Sequence, residues 1–193
     1  MELKDRGKAL EEQFFQKEEH RKLEALREKK EREERKDALR AASGMDDDGV
    51  LERLVDIGIT TATLSAVSLV PLVEVAWADR NLDEREKNAI LHGARGKGIE
   101  EGSAAYGMLE GWLSKRPGPE LFEAWSSYID ALDKELTGAQ LEILERQVVD
   151  RARGVAESAG GFLYGTFGRV STEEKAALER IAAVFARRGA SAE

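Results

Sequence analysis

Of the first forty residues, twenty-five are charged, thirteen Lys or Arg and twelve Asp or Glu, and none is proline. A stretch this polar cannot bury enough apolar surface to build a core of its own. It can still be helical, because Gly7 is the only glycine before Gly44 and nothing interrupts a helix over residues 3–42. Its apolar stripe of Leu3, Leu10, Phe14, Phe15, Leu23 and Leu26 ends at position 26, and residues 27–37 contain no apolar residue. A helix that is polar all round is held by Glu-to-Lys/Arg pairs four apart, each worth about 0.2–0.5 kcal/mol. Glu18–Lys22, Glu28–Arg32 and Glu31–Arg35 have that spacing. The segment reads as a solvated rod with one apolar end, a docking arm or a coiled-coil arm. As a coiled coil its seam stops at Leu26.

The composition shifts sharply after this segment. Residues 1–40 carry a net charge of +1, whereas the remaining 153 hold 17 basic and 26 acidic residues and carry −9. The overall charge of −8 argues against non-specific nucleic-acid binding, which needs a basic field to displace counterions. The absence of cysteine excludes disulfides, zinc–thiolate and iron–sulfur sites and a thiol nucleophile. His20 and His92 are the only imidazoles, too few for a His-rich metal centre. The charged N-terminus does not read as a signal peptide. The longest uncharged run, Ile57 to Val73, contains three threonines, two serines and Pro71. It reads as a helix in a protein core rather than a membrane span. The expected location is the cytoplasm.

Beyond residue 50 the apolar spacing stays near the helical period in 50–59, 63–78, 84–96, 102–114, 120–135, 138–157 and 172–187. No convincing alternation of strand type interrupts it. Trp77, Trp112, Phe122, Trp125, Tyr128, Phe162 and Phe185 are the bulky core candidates. The expected fold is all-α: a charged helical arm over residues 1–42, a linker at 43–49, a compact helical domain at 50–188 and a tail at 189–193.

A shift of 88 residues lays Leu82-Asp83-Glu84-Arg85-Glu86-Lys87 over Val170-Ser171-Thr172-Glu173-Glu174-Lys175. Asp83-x-x-Glu86 and Ser171-x-x-Glu174 are both capping boxes, in which the first side chain accepts an orphan N–H and the glutamate reaches back. Two similarly started helices would account for the match, and so would two related halves of one domain. The string Val73-Glu74-Val75-Ala76-Trp77-Ala78-Asp79-Arg80-Asn81-Leu82-Asp83-Glu84-Arg85-Glu86 resembles the signature of TerB-like domains of the tellurite-resistance group. Gly168-Arg169-Val170-Ser171-Thr172-Glu173-Glu174 is similar to the later turn of such domains. The resemblance covers residues 50–188 and implies an all-helical stress-response module. Arg80 stands where that family has glycine, and Phe167 where its second turn has an acid.

The same resemblance implies a carboxylate cluster for a divalent cation (Ca²⁺, Mg²⁺ or Mn²⁺) or another ligand, formed here by Glu74, Asp79, Asp83 and Glu86. Hard cations prefer several converging carboxylate oxygens. As an EF-hand the turn fails, because its sixth position is Glu84 and its twelfth Ile90. Helix capping alone also accounts for Asp83 and Glu86. Glu74, an acid on an apolar helix, must reach solvent or find a partner.

The arm resembles a second family. Arg6, Ala9, Glu11, Glu12, Phe14, Phe15, Leu23, Ala25, Leu26 and Arg27 match positions shared by mitochondrial inhibitors of F-type ATP synthase. Asp5, Arg6, Ala9, Glu11, Phe14, Glu18, Glu19 and Arg21 match the bacterial zeta-type inhibitors. The resemblance implies a helix wedged into a catalytic interface, with the aromatic pair as apolar anchor and Arg6 and Glu11 as charged contacts. Gly7 and Lys29-Lys30 depart from the family, the latter standing near its pH-sensing histidines.

Gly160-Gly161 through Gly168 is glycine-rich but lacks the Gly-Lys-Ser/Thr ending of a phosphate loop. His92, and Ser158 and Ser171, lack the companions of a catalytic site. The sequence therefore points to a non-enzymatic binding and regulatory protein whose arm docks a partner, with an F-type ATPase as the candidate. One alternative is a cation- or ligand-binding stress protein whose arm serves self-association. Another is a carboxylate-dependent hydrolase.

Overall fold

The computed structural model describes residues 2–80, 82–96, 98–159 and 170–187, with residues 2–13, 158 and 159 described by backbone alone. Its elements are helical throughout, and no described residue lies in a strand. Helix α1 spans Glu2–Ser43, followed by α2 (Asp48–Asp56), a 3₁₀ helix (Leu64–Leu69), α3 (Val70–Ala76), α4 (Glu84–Arg95), α5 (Ala104–Ser114), α6 (Pro119–Glu135), α7 (Gly138–Ala159) and α8 (Thr172–Ala186). Among the described residues no helix is long and apolar enough to cross a membrane.

The single helix expected over 63–78 is two elements. Proline lacks an N–H, and its ring clashes with the carbonyl four residues back, so an α-helix begins at Pro71 more readily than it runs through it. Pro71 occupies the first turn of α3, and the chain before it tightens into the 3₁₀ helix. Leu69, Val70, Leu72, Val73, Val75 and Ala76 are all buried, so α3 is the central strut. It packs against α4, α6, α7 and α8, and α7 in turn packs against α4 and α8.

Trp125 of α6 and Phe185 of α8 are the aromatic heart of the core, with ring centroids 6.0 Å apart in an edge-to-face arrangement. Trp77 and Trp112 are partly buried against the core, and the Trp77 indole N–H donates to the Trp112 carbonyl at 2.9 Å.

The C-terminal part of α1 belongs to this body. Leu39 is fully buried and Met45, in the expected linker, is 4% exposed. Arg32, Lys36 and Arg40 recur every four residues, which puts them on one helix face. That face meets α2: Arg32 bonds Glu52 (3.1 Å) and Asp56 (2.7 Å), Lys36 bonds Asp48 (3.1 Å), and Arg40 bonds Asp48 (3.0 Å). Arg32 thus reaches across to α2 rather than back to Glu28. Arg35 donates to the Glu31 carbonyl oxygen rather than its carboxylate. Residues 43–49 form a tight corner, with the Asp47 carboxylate capping α2 through the Val50 N–H and accepting from Lys134 at 2.9 Å. The Lys134 bond, then the Val50 bond, holds the Asp47 carboxyl below its ordinary range.

Leu39→Ala is expected to cost about 2–5 kcal/mol, as for other fully buried leucines. Ile143→Ala, exposed on α7, should stay within about 0.5 kcal/mol. Denaturant unfolding of the two variants checks both values.

Candidate functional site

Two regions carry the residues singled out by sequence: the outer part of α1, and the turn between α3 and α4. On the arm the four large apolar side chains that the structure describes all face solvent. Phe14 is 62% exposed, Phe15 65%, Leu23 55% and Leu26 64%. The two phenyl rings meet edge to face with centroids 6.1 Å apart. Around them polar side chains pair locally: Arg21 with Glu18 at 2.8 Å, and His20 with Glu24 at 3.1 Å. The side chains of Arg6, Ala9, Glu11 and Glu12 lie outside the described residues, as does the glycine-rich segment 160–168.

At the turn, Asp79 is exposed, Asp83 and Glu86 bond each other's backbone, and Glu74 pairs elsewhere. The Asp83 carboxylate accepts the Arg85 and Glu86 N–H groups at 2.7 and 2.9 Å, and Glu86 accepts the Asp83 N–H at 2.9 Å. This is a complete capping box. The second box is complete as well: Ser171 accepts the Glu174 N–H at 3.0 Å and Glu174 accepts the Ser171 N–H. Both box glutamates are buried, Glu86 at 6% and Glu174 at 7% exposure. Glu74 pairs with Arg180 of α8 at 2.5 Å, on the wall of a shallow cleft lined by Val73, Trp77 and Phe122. Among the described residues no group of three or more His, Asp or Glu is gathered to hold a metal ion.

Burial is the largest influence on Glu86. Together with the charges of Asp83, Asp79 and Glu174 it pushes the carboxyl up from 4.5 to about 7, against the lowering effect of the Asp83 N–H. Arg80, which precedes this turn, has φ +66°, the left-handed region that ordinarily favours glycine.

The α1–α2 ion ladder was missed by sequence reasoning, although the spacing of Arg32, Lys36 and Arg40 ahead of five acids in 46–56 was the available signal. Arg180 had no such signal, since it lies 106 residues from Glu74. Comparison with protein-family models, curated proteins and solved structures finds no match.

Two outcomes are expected here. The folded-state pKa of Glu86 lies above its unfolded value, so its contribution is fully present below about pH 4.5 and is lost as pH rises through about 7. Glu86→Gln keeps an acceptor for the Asp83 N–H and removes the charge. It should flatten the loss of stability between pH 5 and pH 8 by about 2 kcal/mol, read from thermal unfolding across that range. Arg80→Gly should leave stability unchanged or raise it by up to about 1 kcal/mol, whereas Arg80→Val should lower it, because β-branched residues resist positive φ.

Proposed function

We propose that this chain is a non-enzymatic binding and regulatory protein: a TerB-like helical body of the tellurite-resistance type that presents α1 as a docking arm, with an F-type ATPase as the partner. The observation that carries the reading is the arm itself. Four large apolar side chains, each more than half exposed, sit on a helix whose other end is fixed to the body by Leu39 and the Arg32, Lys36 and Arg40 pairs. Exposed aromatic and leucine side chains on one preformed helix are the usual anchors of helix-in-groove recognition. Fixing the helix beforehand lowers the ordering cost of binding. Support for the TerB-like part comes from Arg80, whose positive φ is suited to the glycine of that family, and from the two completed capping boxes. The reading assigns the chain no chemistry of its own.

The test is ATP hydrolysis by an F-type ATPase in the presence of the full chain, of Phe14→Ala/Phe15→Ala, and of a version lacking residues 1–27. That cut leaves Leu39 and the ion ladder in place, which a cut at Gly44 would not. The full chain should inhibit and the other two should not, while the double-alanine variant keeps its melting temperature. Absence of inhibition by the full chain removes the ATPase from the proposal.

A further inference from the structure

The outer part of α1 is divided by charge. Residues 11–19 hold four acidic residues and one basic, a net −3, whereas residues 20–30 hold five basic and two acidic, a net +3. Each half also carries one exposed apolar pair, Phe14-Phe15 in the acidic half and Leu23 with Leu26 in the basic half. Phe15, Glu19, Lys22, Leu23 and Leu26 share one side of the helix, because their spacings of four, three, one and three keep within a third of a turn. Arg32, Lys36 and Leu39, which meet the body, lie on a different side, so the Phe15–Leu26 side is open along its length.

From this we infer that α1 pairs with α1 of a second copy of this chain, antiparallel, about a two-fold axis between His20 and Arg21. In that register Phe15 of each copy lies against Leu26 of the other. Glu19 lies level with Lys22 of the second copy, and helix position 12, a glutamate, level with Lys29. The acidic half of each arm faces the basic half of the other, twice. A parallel, in-register pair would instead set −3 beside −3 and +3 beside +3, and like charges across helices select against that arrangement. The isologous two-fold makes the Phe15–Leu26 contact twice, once on each side of the axis. The inference uses the same open helix as the docking reading but stands on the charge division. Loss of pairing leaves docking to another protein intact, and failure to inhibit an ATPase leaves pairing intact.

Sedimentation velocity of the full chain over a range of concentrations tests it, with far-UV circular dichroism confirming that each variant stays helical. The wild-type chain should sediment as a dimer, and Phe15→Glu/Leu26→Glu as a monomer. Glu12→Lys/Glu19→Lys should also be monomeric, because the acidic half no longer opposes a basic one. Adding Lys22→Glu and Lys29→Glu to that variant restores opposite charges only in the antiparallel arrangement, so the fourfold variant should be a dimer again. A monomeric wild-type chain, or a dimer that persists in Phe15→Glu/Leu26→Glu, overturns the pairing. A fourfold variant that remains monomeric overturns its antiparallel sense.

Discussion

The seam between α1 and α2 decides what kind of molecule this is. Leu39 is fully buried in it and Met45 nearly so, with Arg32, Lys36 and Arg40 reaching carboxylates of α2 around them. Lys36 is buried, but the carboxylates of the ladder face solvent, and ion pairs open to water are worth at most about 1 kcal/mol each, whereas burying one leucine contributes about 1.5–3 kcal/mol. The apolar contact therefore holds the helix down and the ladder sets its direction. Without the seam, α1 would be an isolated, mostly polar helix whose pairs four apart are individually marginal. With it, the outer part of the helix extends from a fixed base, and Phe14, Phe15, Leu23 and Leu26 are displayed rather than collapsed.

Within the body, three of the acids that sequence reasoning gathered into one cluster serve the architecture in two places. Asp83 and Glu86 close the N-terminus of α4, as Ser171 and Glu174 close that of α8. Glu74 escapes the apolar surroundings of α3 by meeting Arg180 on α8, at a partly exposed edge where the pair need not be fully desolvated. The buried position of Glu86 raises its pKa because a cap at the base of a packed helix has little water around it.

Much of the fold was legible in the chain. The helical periodicity placed α4, α5, α6, α7 and α8 within one or two residues, since each is amphipathic and bounded by Gly, Pro, Ser or Asp. Both capping boxes were readable because their chemistry is local, a hydroxyl or carboxylate three residues ahead of a glutamate. The division at residues 43–49 was less well read. One buried leucine in a run of charges has no periodicity to announce it, so Leu39 looked like part of the solvated rod although it lies in the core. The break at Pro71 was visible as a residue but not as a change from 3₁₀ to α geometry, because the apolar pattern runs unbroken across it.

The sequence by itself determined the all-helical class, the long uninterrupted first helix and the segregation of acidic from basic charge along it. These follow from composition and short-range spacing, which act before any tertiary contact forms. Only the tertiary structure decided that Glu74 would find Arg180, that Glu86 would be buried enough to hold its proton near neutral pH, and that Phe14, Phe15, Leu23 and Leu26 would remain uncovered. Each of those outcomes depends on which distant surface packs nearby, and burial is a property of the packed whole rather than of any local run of residues.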